Sequence, residues 1–296
     1  MNRSTSTSEG TRRYAERLKA GIPSEHFREF DGRWISTIGL GTYLGEPDVR
    51  TDEAYKEAIR LALERGCNLI DSAINYRFQR SERNIGEIVA ELIRQDQIAR
   101  DEIVVCTKGG FLSFDSEYPT NPRRYFEEEF VQKGVCLRDD LVAGCHCMTP
   151  SYLDDQIERS LQNLKLDCID VYYLHNPEIQ LTEISRQDFL KRMLAAFKTL
   201  EKKVEEGKIY IYGAATWNGF RESPAAAEYL SLEELVGLAR EAGGDGHHFR
   251  AVQLPYNLAM PEAYLTKNQK LGSRSVSLIE AASSQDMAVF CSAAIL

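Results

Sequence analysis

Four residues of this chain have types and spacing suited to one piece of chemistry. Asp71 ends an apolar run, and Tyr76 follows five positions on. Lys108 ends a second run, and His175 ends a third, Val171-Tyr172-Tyr173-Leu174. A phenol has an ordinary pKa near 10, so it stays protonated at neutral pH and can act as an acid. A nearby ammonium stabilises the phenolate and lowers the cost of losing the proton. A carboxylate paired with that ammonium keeps it charged and oriented. An imidazole can donate a hydrogen bond to a substrate carbonyl. Together these groups suit protonation of a carbonyl oxygen while hydride reaches the carbon. No side chain supplies hydride, so a cofactor has to.

Taken singly, each residue has an ordinary reading. Asp71 could cap a turn, Tyr76 could be a packed loop aromatic, Lys108 a solvated strand end and His175 a satisfied loop histidine. What separates the group from that background is its position at the ends of consecutive strands.

Those strands belong to a regular series. Strand patterns at Ile35–Leu40, Cys67–Ile70, Ile103–Thr107, Cys168–Leu174, Ile209–Ala214, Ala251–Pro255 and Met287–Ser292 alternate with helical ones. The helices fall around Tyr55–Leu63, then at Ser81–Arg94, Pro150–Leu164, Asp188–Glu206, Ser231–Ala242 and Val276–Ser283. Gly66, Gly207 and Gly243 follow helix ends, as stop signals do. Short apolar strands with little alternation are expected to be parallel and buried on both faces. The pattern predicts an α/β protein of (β/α)8 barrel type with about seven β/α units present. The alternative, a dinucleotide-binding doubly wound sheet, needs Gly-x-Gly-x-x-Gly between strand and helix. Gly39-Leu40-Gly41-Thr42-Tyr43-Leu44-Gly45 places its third glycine one position late. In a barrel the strand C-termini share one rim, so Asp71, Lys108 and His175 would converge there.

Before the series, Phe27 to Ile35 alternates around Asp31-Gly32, a hairpin signal. Residues 1–25 read as a polar extension, frayed or a surface helix, and residues 26–296 as a single barrel domain. After Lys108 about 40 residues, 109–149, are too many for an ordinary loop. Standing after the third strand, they would overhang the site as a lid, an interaction surface or a disordered insertion. Cys145-His146-Cys147 with Cys136 has metal-ligand types, but Cys-x-Cys lacks the usual spacing, and the expectation is no metal.

The group Asp71-Ser72-Ala73-Ile74-Asn75-Tyr76, Cys106-Thr107-Lys108 and Leu174-His175-Asn176-Pro177, with Gly39-Leu40-Gly41-Thr42-Tyr43 before it, resembles the aldo/keto reductases. The likeness runs from about Phe27 to Leu296. It implies an NADP-dependent oxidoreductase acting on a small carbonyl or alcohol. Tyr76 would be the general acid, Lys108 and Asp71 its tuning pair, and His175 the orienting donor. Gly41, Thr42 and Asp71 would lie against the nicotinamide half of NADPH. Gln253 would contact its carboxamide, and Ser292 would lie near the pyrophosphate. The chain departs from the family at Ala215-Thr216, where Ser-Asn is common, leaving Thr216 one hydrogen bond to offer. It departs again at Cys291, where many members stack a tyrosine.

The series also stops at a seventh strand, and the family's adenosine contacts lie beyond it. A fragment, a barrel pairing its open edge with a second copy, and a catalytically crippled chain are the readings this leaves. A non-catalytic nucleotide-binding or interaction protein on the same barrel is the alternative function.

The bulk properties fit. The chain has 296 residues, is 43% hydrophobic and 27% charged, and carries a formal charge of −9. That balance opposes nucleic-acid binding. No apolar run nears the roughly 18 residues needed to cross a bilayer. Met1–Ser8 has no apolar core of a secretory signal. Seven cysteines, several in apolar runs, suggest reduced thiols and a cytoplasmic protein.

Overall fold

The computed structural model describes residues 5–295, so the first four residues of the polar extension and Leu296 lie outside it. Helix α1 (Ser8–Leu18) precedes an antiparallel hairpin, β1 (Phe27–Phe30) and β2 (Arg33–Ser36). Asp31 and Gly32 at its tip have φ of 51° and 73°. This left-handed pair matches the twist of the flanking strands, and Asp-Gly adopts it readily. There follow β3 (Leu40–Gly41), α2 (Val49–Glu64), β4 (Leu69–Asp71), α3 (Arg80–Arg94), β5 (Val104–Gly109), α4 (Pro122–Phe126), α5 (Pro150–Leu164), β6 (Ile169–His175) and α6 (Arg186–Glu205). The remainder is β7 (Ile209–Ala215), α7 (Leu232–Gly243), β8 (Phe249–Pro255), α8 (Glu262–Leu265), β9 (Gln269–Leu271), β10 (Arg274–Val276), α9 (Leu278–Ser283) and β11 (Ala288–Ser292).

Seven strands pair in parallel in the order β3-β4-β5-β6-β7-β8-β11. They form a nearly closed barrel, with no ladder joining β3 to β11 among the described residues. One core packs Ile70, Val105, Tyr172, Leu174 and Val252 against the helices, for instance against Ile88, Ile157 and Phe197. A second fills the barrel with Leu69, Val104, Cys106, Val171, Tyr173, Ile211 and Ala251. Every residue of β5 and β6 is buried. Burial on both faces is why these strands show no polar alternation.

The first strand departs from the expected span Ile35–Leu40. The Ser36 N–H donates to the side-chain carbonyl of Asn68 at 2.8 Å, and the Ser36 hydroxyl donates to the Ile38 carbonyl. Side chains thus satisfy the backbone where a ladder would run, and the chain bends before β3 begins at Leu40.

The N-terminal segment is integral to the barrel floor. Thr5 Oγ1 and the Ser6 N–H donate to the buried Asp170 carboxylate on β6 at 2.6 and 2.7 Å. Arg100 and the Val105 N–H complete its shell. Tyr14 of α1 is buried, and its hydroxyl donates to the Leu63 carbonyl.

The long segment after β5 has a core of its own. Phe126, Phe130, Cys136 and Cys147 pack with Tyr152 of α5. That rules out the disordered alternative for most of it. No helix among the described residues is long and apolar enough to cross a membrane.

Candidate active site

Asp71 lies opposite Cys106 in the β4–β5 ladder, Lys108 opposite Tyr173, and His175 opposite Ala215. Parallel registers bring these strand ends to one rim. Lys108 Nζ is 2.5 Å from Asp71 Oδ2, 2.7 Å from the Ser72 carbonyl and 3.5 Å from the Tyr76 hydroxyl. The Tyr76 and His175 rings lie edge to face, with centroids 5.7 Å apart. The four expected residues therefore meet.

Tyr76 is held by the turn after β4. Its N–H donates to the Ala73 carbonyl, and the Ile74 N–H donates to the Lys108 carbonyl. The next three residues, Arg77, Phe78 and Gln79, have φ of 47°, 57° and 69°. Each non-glycine residue in this region costs on the order of 1 kcal/mol, so the surroundings must impose it. Arg77 donates to the Glu46 carbonyl and to Asp52. Gln79 donates to the Phe114 carbonyl, and the Phe78 carbonyl accepts from the Ser116 N–H. No motif in the sequence marked this clamp.

The electrostatics run partly against expectation. Burial pushes the Tyr76 phenol above its ordinary value, and Asp71 adds to that push. Lys108 opposes both and does not win. Burial works to neutralise Lys108, but Asp71 and Tyr76 outweigh it and hold the ammonium charged. Burial, with Lys108 adding repulsion, drives His175 well below the usual histidine range, so its ring is neutral. Its Nδ1 is buried without a partner. Phe111 from the long insert stacks edge-on against this ring at 4.8 Å.

The residues expected at the cofactor are distributed along the same rim. Gly41 opposes Asp71, and a Cβ placed on it would meet nothing within 4 Å. Gln253 Nε2 donates to Asp71 Oδ1 at 2.9 Å. The Thr216 N–H donates to the Gln253 carbonyl, and its hydroxyl is buried without a partner. Ser292 ends β11, opposite Pro255. Thr42 lies beside Asp71, its N–H donating to the Asp71 carbonyl. It is wholly buried, and its hydroxyl is occupied by Ser72 Oγ and the Asp71 carbonyl. It braces the Asp71–Ser72 corner and presents no free hydroxyl. Cys291 on β11 is exposed.

Glu178 was not singled out in the sequence. It is buried, and its Oε1 accepts the N–H groups of Trp217, Asn218 and Gly219 at 2.8, 3.0 and 3.2 Å. It thereby shapes the loop after Thr216. The one available signal was its place just after His175-Asn176-Pro177.

Among the described residues no group of three or more His, Cys, Asp or Glu could hold a metal ion. His146 has both ring nitrogens engaged by protein atoms, which removes it from the Cys145-His146-Cys147 cluster as a ligand.

Comparison with known proteins agrees with this architecture. A model of the aldo/keto reductase family matches residues 37–243. Prostaglandin F synthase 1 of Bos taurus is 27% identical over 154 residues, 52% of this chain and 36% of that protein. The NAD(P)H-dependent D-xylose reductase of Kluyveromyces lactis is 24% identical over 246 residues, 72% of this chain and 62% of that protein. The chain thus spans between about a third and three-fifths of the length of these curated relatives. Among solved structures, a glycerol dehydrogenase from Gluconobacter oxydans superposes with a TM-score of 0.56 at 20% identity, covering 91% of this chain and 63% of that one. An aldo-keto reductase from Klebsiella pneumoniae in complex with NADPH superposes with a TM-score of 0.56 at 19% identity, covering 92% and 68%. The family match spans most of the chain, over the barrel whose rim carries Asp71, Tyr76, Lys108 and His175: the chain belongs to the aldo/keto reductase family.

Proposed function

We propose that the chain is an NADPH-dependent carbonyl reductase, or catalyses the reverse alcohol oxidation, with Tyr76 as general acid. The observation that carries this reading is the Asp71–Lys108–Tyr76 contact beside a neutral His175. The residues present also fit a nicotinamide. The Thr216 hydroxyl is a buried group with no protein partner, and Gly41 leaves open space beside Asp71. An unsatisfied buried hydroxyl costs roughly 1–3 kcal/mol, which a ligand can recover. Gly41, Asp71, Thr216, Gln253 and Ser292 would line that side, with Thr42 bracing from behind. When bound, NADPH supplies the hydride.

The chain's own residues do the rest. Neutral His175 donates one ring hydrogen to the substrate oxygen and fixes its position. Tyr76 holds the proton that this oxygen needs as charge builds on it. Lys108 is charged and buried, so its field acts on the developing phenolate with little screening. Asp71 keeps Lys108 in place and is itself held by Gln253 Nε2. The exposed side chains of Tyr43, Leu44, Tyr118 and Trp217 give the protein apolar surface beyond this centre. Tyr43 lies against Tyr76 itself, with ring centroids 5.0 Å apart.

The test is titration of the chain with NADPH, read by nicotinamide fluorescence, followed by a panel of aldehydes and ketones. Saturable binding and consumption of NADPH with a carbonyl are expected. Binding without turnover on any carbonyl would favour a non-catalytic nucleotide-binding role instead.

A further inference from the structure

His146 lies in the long insert, remote in sequence from the four rim residues, and is wholly buried. Its Nε2 is 2.8 Å from the main-chain carbonyl of His175. Its Nδ1 is 2.9 Å from the side-chain nitrogen of Gln180. The Gln180 oxygen accepts from Arg192 Nη1 at 2.5 Å.

This chain of contacts has one consistent proton assignment. Arginine only donates, so the Gln180 oxygen faces Arg192 and its amide nitrogen faces His146. That nitrogen also only donates, so His146 Nδ1 is an acceptor and carries no hydrogen. The hydrogen is then on Nε2, which donates to the His175 carbonyl. The second Gln180 contact, with the His146 carbonyl at 3.1 Å, uses the other amide hydrogen.

The insert grips His175 at two points. His146 holds its backbone, and Phe111, bridged to His146, sets its edge against the ring. The approach is close enough to require glycine next door. Gly110 has φ of +133°, and a Cβ there would lie 2.7 Å from His146 Nε2 and 3.3 Å from the His175 oxygen. The His175 ring has no protein partner on Nδ1, so contacts of this kind are what orient it.

We propose that His146 is a positioning residue for His175, fixed in its Nε2–H form by the Gln180–Arg192 pair, and that the long insert serves to aim the carbonyl-binding imidazole. This rests on the reductase reading above for the role of His175, but not for the geometry.

The experiment pairs nuclear magnetic resonance with kinetics on the intact chain. In the 15N-labelled, cofactor-free protein at pH 7, His146 should show a protonated Nε2 and a bare Nδ1, its signal assigned by its loss in His146→Gln. His146→Leu should broaden or split the His175 ring signals. His146→Gln, whose amide can replace the Nε2–H donor, should restore a single set. With NADPH and a carbonyl, His146→Leu should lower kcat by about tenfold, with KM within about twofold, as loss of an orienting partner does. An Nδ1–H tautomer overturns the proposal, and so do unchanged His175 signals in His146→Leu. If the wild-type chain reduces no carbonyl, the reductase reading falls, while the His175 signals still decide whether His146 positions it.

Discussion

Lys108 Nζ lies 2.5 Å from the Asp71 carboxylate, and the ammonium is buried while the carboxylate is about one-quarter exposed. The asymmetry has a chemical consequence. Asp71 can exchange hydrogen bonds with other groups on the rim, as it does with Gln253, while Lys108 has only protein around it. Its charge is therefore directed at the two oxygens it touches and at the phenol 3.5 Å away.

The rate of carbonyl reduction should be level across neutral pH. Tyr76 is shifted above its ordinary value of 10.0, so its proton is in place at every lower pH. His175 is shifted well below 6.5, so its ring stays neutral. The kcat for reduction should hold from about pH 6 to about pH 9 and decline only as the phenol ionises. Alcohol oxidation needs the phenolate and should rise with pH. Steady-state rates in both directions check this, and a half-loss of reduction near pH 7 would contradict it.

Protein stability should carry the signature of His146. Burial lowers its pKa from 6.5 to about 4. Between those values the unfolded chain binds a proton that the folded one refuses. The contribution is therefore complete above pH 6.5 and is lost as pH falls towards 4, at up to about 1.4 kcal/mol per pH unit. Glu82 and Glu178, pushed up by burial, act in the opposite sense. The comparison of wild type with His146→Gln isolates the histidine. Chemical denaturation at several pH values should give a shallower acid-side slope for the variant, and equal slopes would contradict the assignment.

Thr216→Val should separate folding from binding. Its hydroxyl has no protein partner, so the isosteric change removes an unsatisfied buried group. Stability of the cofactor-free chain should hold or rise by about 1 kcal/mol, and NADPH affinity should fall by about tenfold. Thermal unfolding and fluorescence titration read the two effects. Unchanged affinity would remove Thr216 from the cofactor side.

Much of this centre was legible because its residues end apolar strands. Asp71, Lys108 and His175 each break a buried run, and parallel registers then leave little freedom in where they meet. The hairpin was legible because Asp31-Gly32 suits left-handed backbone. The unread parts depend on contacts between distant segments. Asn68 replaces the ladder beyond Ser36, and Thr5 and Ser6 find Asp170 more than 160 positions away. The packing of the insert was not legible because its apolar residues have no long period, yet Phe126, Phe130 and Cys147 meet in three dimensions. The sign of the Tyr76 shift was also out of reach. It depends on how deeply the phenol is buried, and burial outweighs the lysine.

The most direct test is Tyr76→Phe, which deletes one oxygen and keeps the ring against His175 and Tyr43. Single-turnover hydride transfer should slow by about 10²–10⁴-fold, the usual worth of a general acid. NADPH affinity should stay within about twofold, since in the proposed role the hydroxyl acts on the reacting oxygen and not on the cofactor. Transfer within about threefold of the wild-type rate, with affinity intact, would show that the proton comes from elsewhere.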